Sequence, residues 1–178
     1  MIYNVAQLLK AVSGTSQRVE LDNDDELVFS DGEPRLAGIV EGTVRLHRTN
    51  QGIFADGEAT VPVELECTRC LKHYTNTMTV SLHELFYPTI DVNTGLPVPP
   101  PDDELAFPID HNHILDLREA IRQNLLVALP MQTLCTPDCK GLCQFCGHDL
   151  NESECGCTPE STDVRLDVLR QLLEANGD

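Results

Sequence analysis

Eight cysteines in a chain of 178 residues constrain this sequence more than any other feature. They fall in three groups. The first is Cys67-Thr68-Arg69-Cys70, the second is Cys135 with Cys139, and the third is Cys143-Gln144-Phe145-Cys146 followed by Cys155-Gly156-Cys157. A chain of this length can bury roughly 70% of its unfolded surface, so it does not need staples in order to fold. The first residues, Met1–Gly14, carry no basic run ahead of an apolar core and a cleavage site, so no signal peptide is expected. No segment approaches the roughly 18–20 apolar residues of a membrane span. The expected compartment is the cytoplasm, where thiols stay reduced, and cysteines there read as metal ligands rather than as disulfides.

Two thiolates separated by two residues on a tight turn form a knuckle whose sulfurs reach one tetrahedral ion. Cys143, Cys146, Cys155 and Cys157 supply a closed set, with Gly147–Glu154 looping between the pairs. Gly141 and Gly147 leave backbone room beside the sulfurs. Cys67 and Cys70 supply only half a site. Pairing them with Cys135 and Cys139 uses every thiol in two four-thiolate sites, and a different division of the distal cysteines is the rival. Soft sulfur in a closed shell suits zinc, about two ions per chain, with an iron–sulfur cluster as the alternative. Four protein ligands leave no open position for water or substrate, so the expected role is structural. Neither C-x-x-C opens a helix behind a strand of a parallel sheet, which argues against thioredoxin-like exchange. His148 competes as a ligand beside Cys146, against the plainer reading of a solvated side chain. His111 and His113, beside Asp110, read as surface residues.

Period-two alternation dominates residues 36–87. Val40, Val44 and Leu46 share a face opposite Glu41, Thr43, Arg45 and His47. Asn50, Gln51 and Gly52 supply turn chemistry. Ile53, Ala55, Ala59, Val61, Val63 and Leu65 then alternate with Asp56, Glu58, Thr60, Glu64 and Glu66, and Tyr74, Met78, Val80, Leu82 and Phe86 alternate with Thr75, Thr77, Thr79, Ser81 and His83. Three such runs joined by short turns predict an antiparallel meander with one wet face. Pro62 predicts an edge or a bulge nearby. Val5, Leu8, Leu9 and Val12 predict a short helix closed by Gly14. Residues 18–35 are expected to be extended or looped. Residues 88–110 hold six prolines among acidic residues and predict an unpacked surface loop or linker. A helix follows, capped by Asp116 with Glu119, carrying Leu117, Ile121, Leu125 and Ala128 as its stripe, widened by Leu126 and ended by Pro130. A last helix is expected over 159–178, with Ser161 or Thr162 at its start and Gly177 at its end.

The expected class is therefore α+β: an antiparallel β-meander packed against one or more helices, with a C-terminal cysteine-rich zinc-binding tail. The expected domains are a meander-plus-helix domain over 1–130, the cysteine-rich segment 131–158 and the helix 159–178. Lys and Arg number 12 against 29 Asp and Glu, a formal charge of −17. Such a chain is poorly suited to gripping phosphates without sequence preference. The charge points to a basic partner, to metal or to solubility. The acidic stretches 22–31 and 102–110 are the expected contributors.

Several motifs, ordered along the chain, resemble a known family. Glu64-Leu65-Glu66-Cys67-Thr68-Arg69-Cys70-Leu71 resembles its L-x-C-x-R-C-L signature. Leu115-Asp116-Leu117 with Arg118, Glu119 and Ile121, running into Leu126–Pro130, resembles its helix. Leu134-Cys135, Cys139, Gly141-Leu142-Cys143, Cys146-Gly147, Asp149-Leu150-Asn151 and Cys155-Gly156-Cys157 resemble the cysteine-rich tail of many members. The family is the bacterial and plastid YceD family, the large ribosomal RNA subunit accumulation proteins, and the likeness spans roughly residues 36 to 157. It implies a role in ribosome biogenesis, in accumulation or processing of large-subunit (23S) rRNA, with no catalytic residue assigned.

Three function classes compete on the residues. A non-enzymatic assembly factor fits the charge, acting through a basic ribosomal protein or a pre-ribosomal large-subunit particle, with rRNA touched indirectly. An RNA-binding module would use Phe145, inside its knuckle, as a stacking platform, against the plainer role of covering the metal. A nuclease would need its acidic residues gathered around metal ions. G-x-S-x-G, H-E-x-x-H and P-loop motifs are missing, which weakens the enzyme class. Arg69 reads as an orienter of the first knuckle rather than as an RNA reader.

Overall fold

The computed structural model describes residues 1–21, 27, 33–101 and 106–157. In chain order its elements are β1 (Ile2–Asn4), α1 (Ala6–Lys10), β2 (Ser16–Leu21), β3 (Arg35–Leu36), β4 (Glu41–Arg48), β5 (Ile53–Glu66), β6 (His73–Pro88), β7 (Phe107–Ile109), β8 (Ile114–Asp116) and α2 (Arg118–Ala128). They belong to two compact units: Met1–Thr68 with Lys72–Cys135, and Arg69–Leu71 with the chain from Thr136 onward. The expected helix over 159–178 lies outside the described residues, as do most of 22–31 and residues 102–105.

Strict alternation builds the first unit. On β5, Ile53, Ala55, Ala59, Val61 and Val63 are completely buried, while Glu58, Thr60, Glu64 and Glu66 are exposed. A one-residue slip would exchange these faces, so the pattern fixes the register. β4 pairs antiparallel with β5 from Glu41↔Thr60 to Arg48↔Ile53, and β5 pairs antiparallel with β6 from Ile53↔Phe86 to Glu66↔His73. This is the expected meander. At its first turn the Gly52 N–H donates to Thr49 Oγ1 over 3.2 Å. A Cβ at position 52 would lie 2.1 Å from the Phe86 carbonyl oxygen, so that close approach requires glycine. β2 joins the far side of β4, and β7 runs parallel beside β6, giving the order β2-β4-β5-β6-β7.

α2 packs on β6 and contributes Leu117 (just ahead of it), Ala120, Ile121 and Leu125 to the same apolar core. Ala128, expected on the stripe, is exposed instead, because the chain leaves the helix at Leu129 (ψ 132°) under the restriction imposed by Pro130. The capping expectation also shifts. Leu117 occupies the cap position, and Asp116 accepts from the Arg118 N–H at 3.0 Å. Glu119 does not reach back to complete a capping box; it accepts from Arg122 and Gln123.

Other expectations are corrected by tertiary pairing. The first residues do not form a continuous helix. Ile2–Asn4 pairs with β8, and α1 spans only Ala6–Lys10, too short to stand on propensity alone. Leu8 and Leu9 are buried, but Val12 is 82% exposed. Pro62 brings no bulge, since the β5–β6 register runs through it unbroken. It stands where the partner on the opposite side changes from β4 to β3, and its carbonyl accepts from the Ala37 N–H. That gap asks no N–H of residue 62. The proline-rich stretch is not wholly unpacked. Ile109 is completely buried, and Phe107 stacks on Phe86 with ring centroids 5.3 Å apart. His113 is not a plain surface residue either: its backbone is left-handed (φ 61°), and its Nδ1 is buried with no hydrogen-bond partner among the described residues.

Arg122 bridges Glu33 and Glu119, each at 2.7 Å. The Arg122 hydrogen bond holds the Glu119 carboxyl down to about 2, from an ordinary 4.5. A carboxyl with a lowered folded pKa contributes stability that is fully present above 4.5 and is lost as pH falls toward 2. The Glu119 side chain is 50% exposed, so screening limits the effect to about 1 kcal/mol or less. Arg122→Ala is expected to lower stability by about that amount near neutral pH and to flatten its decline in acid. Melting curves between neutrality and pH 3 check this, and an equally steep decline in the variant contradicts it.

Among its described residues the second unit has no helix or strand. An isolated bridge joins Leu142 to Asp149, the Lys140 N–H donates to Asn151 Oδ1 at 2.8 Å, and the Leu150 N–H donates to the Gly141 carbonyl at 2.9 Å.

Candidate metal centres

The structure brings the eight cysteines into two sets. The sulfurs of Cys67, Cys70, Cys135 and Cys139 lie within 4.8 Å of one another, and so do those of Cys143, Cys146, Cys155 and Cys157. A tetrahedral zinc with Zn–S bonds of about 2.3 Å holds its sulfurs roughly 3.8 Å apart, so each set fits one ion with small adjustments. Their surroundings differ. Cys67, Cys70 and Cys139 are buried and Cys135 is half-buried, whereas in the other set only Cys143 is buried, and Cys146 and Cys157 are exposed.

The two knuckles are built alike. The Cys67 N–H donates to the Lys72 carbonyl at 3.0 Å, and the Cys143 N–H donates to the His148 carbonyl at 2.8 Å. In each, the residue after the second cysteine is left-handed: Leu71 at φ 59° and Gly147 at φ 72°. Glycine adopts that conformation freely and leucine does so at a cost, which only a fixed turn would enforce. Around the first knuckle, the Thr68 N–H donates to the Thr133 carbonyl at 2.8 Å, bringing the segment before Cys135 alongside. The Arg69 guanidinium donates to the Cys139 carbonyl at 2.8 Å, and the Arg69 carbonyl accepts from the Leu142 N–H at 3.2 Å. Arg69 thereby ties the first knuckle to the segment around Cys139 and Leu142.

Hydrogen-bond donors reach two of the sulfurs. Asn151 Nδ2 donates to Cys139 Sγ at 3.4 Å, and the Phe145 N–H points to Cys143 Sγ at 3.5 Å. Backbone N–H groups of Cys146 and Phe145 hold the Cys143 thiol down to about 6. The neighbouring Cys146 sulfur pushes Cys157 up to about 12. Four crowded thiols cannot all ionise without a cation among them, which a divalent ion supplies. Burial, followed by the Cys67 and Cys135 charges, raises the Tyr74 phenol.

His148 does not join the second set; its Nε2 lies 2.8 Å from Ser153 Oγ. Asn151, Thr133 and Tyr74 were not legible as contributors, because each acts through a long-range hydrogen bond or through proximity rather than through a ligand motif. Phe145 is 55% exposed beside its knuckle.

These features define a mostly β-sheet protein with few helices and two four-cysteine clusters suited to metal. Residues 55–173, more than half of the chain and including every cysteine, match the family described as large ribosomal RNA subunit accumulation protein YceD, and the chain belongs to that family. A protein of Mycobacterium tuberculosis described as uncharacterized is 33% identical over 138 residues, which is 76% of this chain and 62% of that protein. A Mycobacterium bovis protein, also described as uncharacterized, matches to the same extent. A chloroplastic protein of Zea mays, described as a large ribosomal RNA subunit accumulation protein YCED homolog, is 39% identical over 61 residues, covering 34% of this chain and 20% of its own length. The chain spans about three fifths of the length of the mycobacterial relatives. No solved structure matches it. Among the described residues no helix is long and apolar enough to cross a membrane.

Proposed function

We propose that this chain is a non-enzymatic factor in the accumulation of large-subunit rRNA, working in the cytoplasm on a pre-ribosomal particle through a basic ribosomal protein. Its eight cysteines hold about two structural zinc ions. The observation that carries this reading is the gathering of every cysteine into two four-sulfur sets in a chain of a family described by rRNA accumulation. A four-thiolate shell leaves no coordination position for water or substrate, which supports scaffolding over hydrolysis. The charge of −17 supports a basic protein partner over direct phosphate contact. Direct rRNA contact through Phe145 is the competing reading, favoured by the exposure of that ring.

Depleting the protein and measuring the ratio of large- to small-subunit rRNA tests the role. The ratio is expected to fall, and an unchanged ratio removes the proposal. Sedimentation of the tagged chain tests the target: it should migrate with large-subunit precursors and dissociate as salt rises, since exposed charges are screened beyond about 10 Å at 0.1 M. Tight binding of naked rRNA with a steep salt slope would favour the competing reading.

A further inference from the structure

The second cluster lies open to its surroundings. A cavity of about 460 Å³ is lined by Phe145, Leu150 and Glu154 together with Cys143, Cys155 and Cys157. Structural zinc sites need no such opening, because their sulfurs are ligands and nothing more. Here three candidate ligand residues of the second cluster share one lining with an exposed aromatic residue and an exposed glutamate. Four thiolates outweigh the charge of one divalent ion, so the centre stays anionic when loaded. Of the acidic residues in 136–157 (Asp138, Asp149, Glu152 and Glu154) Glu154 lines the cavity, and the unit's described cations are Lys140 and Arg69, the latter donating to the Cys139 carbonyl.

We propose that this cavity is a docking site for a cationic side chain, arginine or lysine, presented by a basic protein segment. Phe145 takes the cation on its ring face and Leu150 takes the aliphatic stem. Glu154 and the thiolate sulfurs receive the N–H donors. Each part of such a side chain finds its complement, whereas a nucleobase stacked on Phe145 would bring its phosphate against this concentration of negative charge. The proposal rests on the reading of a basic protein partner and assigns it a place.

The experiment uses the zinc-loaded full chain, isotopically labelled, titrated with a peptide of alternating arginine and alanine. Its controls are the citrulline version of the peptide and a single-stranded oligonucleotide. Amide shifts are expected to centre on Phe145, Leu150 and Glu154. Combining Phe145→Ala with Glu154→Gln should weaken binding about tenfold, and citrulline should weaken it at least as much. Both substitutions are of exposed residues, and an unchanged zinc content shows the variant to be intact. Unaltered affinity in the variant, with shifts elsewhere on the chain, overturns this site and leaves the basic partner standing. No binding of the arginine peptide at low salt overturns the site and the partner reading together. Oligonucleotide binding centred on Phe145 and stronger than peptide binding overturns both in favour of RNA.

Discussion

With the two cysteine sets loaded with zinc as proposed, removing it with a chelator is expected to unfold residues 136–157 while the β-sheet persists. Among its described residues the second unit has little else to hold it. Between residues 136 and 157 the buried apolar side chains are Cys139 and Cys143, both metal-ligand candidates. Its described backbone is organised by turns and one isolated bridge rather than by a helix or sheet. A segment without an apolar core cannot offset the roughly 1–2 kcal/mol per residue of backbone ordering. Structural zinc supplies on the order of 10 kcal/mol at neutral pH, which is enough. Hydrogen exchange should therefore show lost protection at Cys143, Gly147 and Leu150, whose N–H groups donate within this unit, with protection retained along β5. Cys143→Ser and Cys67→Ser should each leave about one zinc per chain, the first variant emptying only the second set. Because the thiols must lose their protons to bind, zinc should also be released as pH falls and the sulfurs take protons back. A Cys143→Ser protein that retains both ions, or a tail that stays protected without metal, would show that the sulfurs do not organise this segment.

The parts of the fold legible in the sequence are those where one local period dictates burial. Val61 and Val63 alternate with Thr60 and Glu64 on β5, and no tertiary information is needed to place them. The cysteine sets were legible for a different reason: a knuckle is local, and eight thiols divide without remainder into two sets of four. Elements defined only by a distant partner were not legible. β1 exists because Ile2–Asn4 meets Ile114–Asp116, and nothing within three residues announces that pairing. β7 owes its place to Phe107 lying against Phe86, inside a stretch whose prolines argued for loop. At Asp116 the expected chemistry is present, a carboxylate accepting a helix N–H, but the helix starts one residue later in phase. Residue type identified an acceptor for the Arg118 N–H, and packing of Leu117 into the core put Leu117 rather than Asp116 at the cap.

Phe86→Ala is expected to be the most damaging single change in the sheet. The ring is completely buried. Position 86 is also where β6 gains a second partner: it pairs with Ile53 of the antiparallel β5 and with Phe107 of the parallel β7. Truncating a buried Phe costs about 3–5 kcal/mol through lost transfer energy and the cavity left behind. The stacked pair with Phe107 puts the cost toward the upper end. Against a total stability of about 5–15 kcal/mol, this removes a large share, and for a chain of this size it lowers Tm by roughly 10 °C. Phe107→Ala should cost less, because that ring is only partly buried. Zinc bound by Cys143, Cys146, Cys155 and Cys157 should survive in the folded Phe86→Ala protein, since every ligand of that set belongs to the second unit. Thermal melts paired with elemental analysis separate the two effects. A loss of less than about 1 kcal/mol in Phe86→Ala would mean that the site refills, and β7 would then not owe its place to this ring.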